Sequence, residues 1–164
     1  MNAAPVPHLD IRVDDDAWLG IDGVAELAER AAAAASAVAG QRLTDGAELG
    51  LILSSDAQIR ILNRDHRNRD SATNVLSFPI CDPQAPLKGP LLGDVVLALE
   101  TVQTEAKTAK KPLSEHISHL IVHGILHLLG YDHQIDGEAE AMEDLERAAM
   151  KRLGYDDPYR DAAA

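Results

Sequence analysis

Hydrophobic residues recur along this chain with two spacings. A spacing of two residues predicts strands, and a spacing of three or four residues predicts helices. Leu9, Ile11 and Val13 alternate with polar residues, which places them on one face of a short strand. Apolar runs bounded by turn residues predict three more strands, the second of which ends at Pro79. Their sequences are ELGLILS (48–54), TNVLSFPI (73–80) and GDVVLALE (93–100).

Five further segments are typical of helices. Asp22 is expected to cap the first, which Gly40 ends, and Ser55 followed by Gln58 has the form of a capping box for the second. The order of elements predicts an α+β fold, in which a mixed sheet of about four strands packs with about five helices. The predicted helices cover residues 23–39, 56–67, 100–110, 113–129 and 136–154.

Length and composition favour one globular domain over residues 1–164, with flexible ends at 1–7 and 160–164. The net charge of −12 argues against a broad electrostatic grip on nucleic acid but permits a local basic patch. Cys81 is the only cysteine, so no intrachain disulfide forms, and a reducing cytoplasm fits. We expect neither a secretion signal nor a membrane span, because no apolar run approaches the ~20 residues that a span needs.

The predicted helix 113–129 is apolar almost all round, which is typical of a buried helix, but it carries one stripe of imidazoles. At about 100° per residue, its four histidines fall within an arc of roughly 80°. His123 and His127 are four residues apart and can converge on one ion. Gly130 can turn the chain back and bring His133 to the same point. The four histidines of the stripe are His116, His119, His123 and His127.

Three neutral imidazoles leave one tetrahedral position open, which is typical of a catalytic zinc site rather than a structural one. The spacing therefore predicts one Zn²⁺ per chain, held by His123, His127 and His133 at the C-terminal end of the buried helix. Other divalent transition metals also accept such ligands. Asp132 can orient an imidazole, act on bound water or cap a turn. His116 and His119 are expected to make supporting polar contacts.

Three blocks of this sequence resemble the YbeY family, bacterial ribosomal RNA maturation factors described as metal-dependent endoribonucleases. HGILHLLGYDH (123–133) is similar to the family signature H-G-x-L-H-L-x-G-Y-D-H over all eleven residues. LNRDHRNRDSATNVLSFPI (62–80) and LLGDVVLA (91–98) resemble two further family motifs. The resemblance implies a zinc-dependent endoribonuclease specific for single-stranded RNA. It also implies a cytoplasmic role in small-subunit ribosomal RNA 3′-end processing and ribosome quality control, with the ribosome or ribosome-associated proteins as partners.

Four arginines lie within the ten residues 60–69, at the start of the second block, and guanidinium groups bind phosphate through paired hydrogen bonds. Arg67 matches the functionally important arginine of the family, which implies a contact to phosphate or to the transition state. Arg69 and His66 are further candidates for binding substrate, although His66 can equally pack at the helix end. Arg60 and Arg64 are expected to lie on a solvated face, balanced by Asp65 and Asp70.

Supporting roles are expected for four more polar residues. Thr73, Asn74 and Ser77 should make strand and turn hydrogen bonds that shape the cleft floor, and Asp94 should anchor a turn or a neighbouring backbone.

Spacing of the three histidines also matches metalloproteases of the H-E-x-x-H-x-x-G-x-x-H type, but Gly124 stands in place of their glutamate. Because that glutamate is the general base for peptide hydrolysis, a protease is disfavoured. Two alternatives remain open: a non-catalytic ribosome-assembly factor with a structural metal site, and a metallohydrolase of another substrate class. The general base, the RNA cleavage site and the oligomeric state are not indicated by the sequence.

Overall fold

A computed structural model of the chain describes residues 6–40, 42–82, 84–132 and 136–159. In these residues, strands precede each of the first two α-helices, and three consecutive α-helices follow the last strand. The strands of the described part are β1 (His8–Val13), β2 (Arg42–Leu43), β3 (Glu48–Ser54), β4 (Val75–Pro79), β5 (Leu87–Lys88) and β6 (Leu91–Ala98). Its α-helices are α1 (Val24–Ala39), α2 (Asp56–Arg67), α3 (Leu99–Thr108), α4 (Leu113–Leu128) and α5 (Asp136–Arg152).

The four longer strands form one mixed sheet in the order β1-β3-β6-β4. β1, β3 and β6 are parallel, whereas β4 pairs with β6 in the antiparallel direction and forms one edge of the sheet. The short strands β2 and β5 form a separate parallel pair that the sequence analysis did not predict. The predicted α+β fold, with about four strands in a mixed sheet and about five helices, is confirmed.

Both faces of the sheet are covered, which gives three layers. α1, α4 and α5 contact one another, and α4 lies against β4 and β6, so the larger core forms on this face. On the opposite face, Ile59 of α2 packs with Leu76, Val96 and Ala98 in a smaller cluster. α4 is the central helix, and its isoleucines Ile117, Ile121 and Ile125 are fully buried. None of the described helices combines the length and apolar character that a membrane span requires.

Most of the predicted helix boundaries hold, with one error at the start of α1. Asp22 does not cap this helix; Gly23 precedes it in a left-handed conformation (φ 68°) and no side chain caps it. By contrast, the Ser55 hydroxyl accepts a hydrogen bond from the Gln58 amide at 3.2 Å, as the capping box predicts. Gly130, with φ 104°, allows the chain to turn directly after α4.

A short 3-10 helix, Asp16–Gly20, was not predicted. It buries Trp18 completely, and the indole Nε1 donates to the Ser54 carbonyl at the end of β3 at 2.7 Å. Trp18 stands between Ala17 and Leu19 in a segment too short to give a periodic signal. The Asp15 side chain caps this segment by accepting a hydrogen bond from the Ala17 amide at 2.8 Å, and the long-range bond to Ser54 holds the indole in the core.

Gly124 allows α4 to lie directly on the sheet. A Cβ atom at this position would lie 2.6 Å from Cγ1 of the buried Val95 and 3.2 Å from the Ser77 hydroxyl. That hydroxyl donates a hydrogen bond to the Gly124 carbonyl at 3.0 Å. The residue that the sequence analysis interpreted as a missing general base is therefore also a packing requirement, since a glutamate would force β4, β6 and α4 apart.

Candidate active site

An open cleft of about 820 Å³ lies where the C-terminal ends of α2 and α4 meet the edge strand β4. α2 and the turn after it contribute arginines, β4 contributes a run of consecutive residues, and α4 contributes two histidines. The described residues that line it are Asn63, Arg67, Arg69, Thr73, Asn74, Val75, Leu76, Ser77, Pro79, Cys81, His123, His127, Leu128, Gly130, Tyr131 and Asp132.

The two imidazoles of α4 stand side by side at the floor of this cleft. The ring centroids of His123 and His127 are 4.7 Å apart, and the rings are nearly perpendicular, at 82°. The spacing of one helical turn thus brings both rings together, as the sequence analysis expected. His133, the third predicted ligand, lies outside the described residues. Within the described residues, no three His, Cys, Asp or Glu side chains form a set that could hold a metal ion.

Glu146 of α5 is a buried carboxylate that the sequence analysis missed. Its side chain is only 1% exposed, and Oε1 contacts His119 Nε2 at 2.5 Å and His123 Nδ1 at 3.3 Å. The Tyr159 hydroxyl donates to the same oxygen at 2.8 Å. Burial alone would raise the pKa of Glu146, but the hydrogen bonds and positive charge of His119 and His123 lower it to about 2. The group is therefore an acceptor at neutral pH. Burial, and after it the Glu146 carboxylate, raise the pKa of Tyr159.

This contact gives His123 the tautomer that a metal ligand needs. An ionised carboxylate only accepts hydrogen bonds, so in the neutral form of His123, which is the form that binds a metal, the proton lies on Nδ1 next to Glu146. The Nε2 atom then carries the lone pair, and carboxylate–histidine pairs of this kind orient ligands in known metal sites. The residues present therefore fit a divalent transition metal in two respects: paired imidazoles, and a buried carboxylate that fixes one of them.

The sequence contains one signal for Glu146, which is a carboxylate among apolar residues on one face of the last predicted helix. Met142 and Ala149 of α5 are fully buried, and Glu146, four residues after Met142 and three before Ala149, lies on the same helical face. A single carboxylate in an apolar helical face calls for a buried cationic or hydrogen-bonding partner. The partners, His119 and Tyr159, lie 27 and 13 residues away, so the pairing could not be deduced from the sequence.

The remaining two histidines of the stripe make supporting polar contacts, as expected. His119 is bound to Glu146, and His116 Nε2 contacts Glu105 Oε1 at 2.8 Å. The same Glu105 oxygen accepts from Asn74 Nδ2 at 3.0 Å, which links α4 through α3 to the start of β4.

The arginines divide into two groups. Arg60 is bound to Asp70 at 2.7 Å and Arg64 to Asp65 at 3.1 Å, all four side chains being largely exposed, as the sequence analysis predicted for these two arginines. Arg67, which lines the cleft, donates instead from Nη2 to the Ser77 carbonyl at 2.9 Å. Its guanidinium also lies 5.9 Å from the centre of the Phe78 ring.

The other candidate residues have the following places. Arg69 and Asp132 line the cleft, whereas His66 packs edge-on against Phe78 with 5.2 Å between ring centroids. Thr73 lines the cleft too, and Asp94 does not; its carboxylate lies against the backbone of Gly50 in β3.

Replacing Glu146 by glutamine should lower the free energy of unfolding of the metal-free protein by about 3–5 kcal/mol at pH 7, because a buried charge network is broken. The folded-state pKa lies below the ordinary value of 4.5, so the carboxylate stabilises the fold above pH 4.5 and its contribution is lost as the pH falls toward 2. The difference between wild type and E146Q in urea unfolding should shrink over that range.

E140Q, at an exposed position of the same helix, is the matched control and should change the free energy of unfolding by less than about 0.5 kcal/mol. An equal effect of both variants would contradict the role of Glu146.

Comparison with known proteins finds one family model and several relatives that cover most of this chain. The family model described as Endoribonuclease YbeY matches residues 19–154. Endoribonuclease YbeY of Azorhizobium caulinodans is 48% identical over 153 residues, which cover 93% of this chain and 96% of that one. Its counterpart in Methylocella silvestris is 46% identical over 158 residues, covering 96% of this chain and 89% of the other.

A solved structure supports the fold independently. The solution structure of TM1509 from Thermotoga maritima is similar to this chain with a TM-score of 0.54 and 22% identity, covering 88% of this chain and 92% of the other. The extent of the sequence matches is decisive for the assignment. The chain belongs to the Endoribonuclease YbeY family.

Proposed function

We propose that this protein is a zinc-dependent endoribonuclease that cleaves single-stranded RNA in the cytoplasm. Its substrate is ribosomal RNA, and its roles are small-subunit 3′-end processing and ribosome quality control. Its partners are the ribosome or ribosome-associated proteins. Membership of the Endoribonuclease YbeY family supports RNA cleavage and ribosomal RNA processing. The observation that carries the proposal is the cleft itself, which joins a pair of imidazoles to the guanidinium of Arg67.

The metal would be held by His123 and His127, with His133 as the third proposed ligand. When bound, a divalent ion of this kind polarises a phosphoryl oxygen and lowers the pKa of water toward about 7. Glu146 keeps the proton of His123 on Nδ1 and restrains the ring through a hydrogen bond. Because Glu146 is buried and also bound by His119 and Tyr159, this restraint does not depend on a mobile surface group.

Arg67 supplies positive charge where phosphate would lie. Its bond to the Ser77 carbonyl and its position at the Phe78 ring fix the guanidinium at the rim of the cleft, and its remaining N–H groups can donate to non-bridging oxygens. Arg69 lines the same cleft and extends the basic patch. His66 packs against the same Phe78 ring as Arg67 and is a proposed substrate contact beside the cleft. With a net charge of −12 over the whole chain, this local patch favours RNA entering the cleft over RNA coating the surface.

Asp132 is our candidate for holding a proton during the reaction. It is the only carboxylate among the described residues that line the cleft, and it follows α4 five residues after His127. Peptide hydrolysis is disfavoured because the glutamate of the metalloproteases with the same histidine spacing is absent, and Gly124 has no space for one.

The proposal is tested by incubating highly purified protein with matched single-stranded and double-stranded RNA, with and without a chelator. We expect cleavage of the single strand alone, its loss with the chelator, and its return when Zn²⁺ is added in excess. Cleavage that persists at full rate in the chelator would contradict metal dependence. Binding of ribosomes without any cleavage would favour the assembly-factor alternative.

A further inference from the structure

The outer edge of strand β4 forms one wall of the cleft. Three consecutive residues of this strand, Val75, Leu76 and Ser77, all line it, as do Thr73 and Asn74 directly before the strand. Side chains of consecutive strand residues point to opposite faces of a sheet, so one face cannot supply such a run. The wall is therefore the backbone edge of β4, which is an edge strand of the sheet in the described part of the chain.

Hydrogen bonds at the two ends of β4 establish which backbone groups face the cleft. The Ala98 amide donates to the Asn74 carbonyl at 3.0 Å, and the Ile80 amide donates to the Leu92 carbonyl at 3.1 Å. In an antiparallel pair, residues alternate between facing the partner strand and facing away from it. The backbone N–H and carbonyl groups of the even-numbered residues from 74 to 80 thus point toward β6. The corresponding backbone groups of Val75, Ser77 and Pro79 point away from the sheet. The bond from Arg67 to the Ser77 carbonyl agrees with this alternation.

The outward groups form a short and interrupted pattern. Val75 presents an N–H and a carbonyl side by side, and Ser77 presents an N–H. Beyond them the Ser77 carbonyl is bound to Arg67, and Pro79 has no N–H. An added peptide strand needs a continuous ladder, so this edge suits a ligand with one donor and one acceptor close together.

We propose that the N–H and carbonyl of Val75 bind the Watson–Crick edge of one unpaired RNA base, next to the phosphate held by Arg67. This inference rests on the proposed function and gives it a structural source of single-strand specificity. Each RNA base carries a donor beside an acceptor on that edge, and single-stranded RNA leaves them accessible. In a duplex the same atoms are already paired, so a paired base cannot bind the strand. The nearby arginines favour a nucleotide over an uncharged ligand.

The test replaces Val75 by proline, which removes the outward N–H without removing a bond to β6, and proline is tolerated at such edge positions. V75A keeps the N–H and is the matched control. The probes are a short labelled oligouridine and the same oligouridine with N3-methyluridine, in which the base donor is blocked. Dissociation constants are measured by fluorescence anisotropy in the presence of a chelator, so that the probe stays intact, and folding is checked by circular dichroism. Cleavage of the same probes is followed separately with Zn²⁺.

We expect methylation to weaken binding to wild type and V75A by a factor of about 5–10, the effect of one or two hydrogen bonds. V75P should bind the unmodified probe about as weakly as the methylated one. Equal binding of both probes to wild type, or an undiminished methylation effect in V75P, would overturn the inference. If V75P does not fold, equal binding of the two probes to wild type and V75A would still overturn the inference.

Failure of the proposed function gives a different result. In that case the wild-type protein discriminates between the two probes but leaves the bound oligouridine uncut. If instead the RNA is cut and the two probes bind equally well, cleavage stands and the base site at Val75 is wrong.

Discussion

Replacing His123 by alanine should reduce RNA cleavage to the level of a reaction without enzyme, while the protein stays folded. The imidazole is partly exposed in the cleft, 4.7 Å from the ring of His127, and Glu146 fixes its tautomer. Removing it takes away one of the three proposed metal ligands. Among the described residues that line the cleft, His127 would then be the one remaining imidazole. Cleavage of a labelled single-stranded RNA by highly purified protein measures the effect.

His8 offers a matched control for this substitution. It is exposed on β1, at the opposite edge of the sheet from β4, so H8A should keep wild-type activity. Circular dichroism and thermal unfolding should show that H123A is folded. Wild-type activity in H123A would mean that a contaminating nuclease cuts the RNA, and the enzyme assignment would fail.

Replacing Arg67 by glutamine should lower kcat/KM for RNA by about 10²–10³, the usual effect of removing one preorganised donor to a developing negative charge. The side chain lines the cleft, and its guanidinium is held by the Ser77 carbonyl at 2.9 Å. Metal content should not change, because Arg67 is not a ligand. Steady-state kinetics on a short single-stranded RNA, at fixed Zn²⁺, measure the effect.

The matched control is R64Q, on the same helix and three residues earlier. Arg64 is exposed and paired with Asp65, and exposed pairs contribute little, so we expect less than about a threefold change. A similar loss in both variants would mean that total charge matters rather than the position of Arg67. A loss of stability in R67Q that matches its loss of activity would point to a structural role instead.

The helix that carries the histidines could be predicted from the sequence because its signal is local. Apolar residues surround the helix, Pro112 and Gly130 bound it, and predicted residues 113–129 agree with the observed Leu113–Leu128. The one-turn spacing of His123 and His127 is a property of any α-helix, so the pairing of the rings follows directly. The arginines that pair with Asp65 and Asp70 were likewise expected from their neighbours in the sequence.

What could not be predicted depends on contacts between distant segments. Glu146 reaches His119 and His123 only because α5 packs against α4. Trp18 is buried in the main core, where its N–H finds an acceptor 36 residues away at Ser54. The space at Gly124 is likewise set by Val95 of β6. At α1 the local rule itself gave the wrong result, since Gly23 replaces the cap expected from Asp22.

The central claim, that histidines in this cleft hold a metal on which RNA cleavage depends, is tested most directly by elemental analysis of protein purified without a histidine tag. We predict one equivalent of zinc, or of another divalent transition metal, per chain in the wild type, and its loss in H127A together with RNA cleavage. A wild-type protein that cleaves RNA without bound metal, or an H127A variant that keeps both metal and activity, would contradict the account.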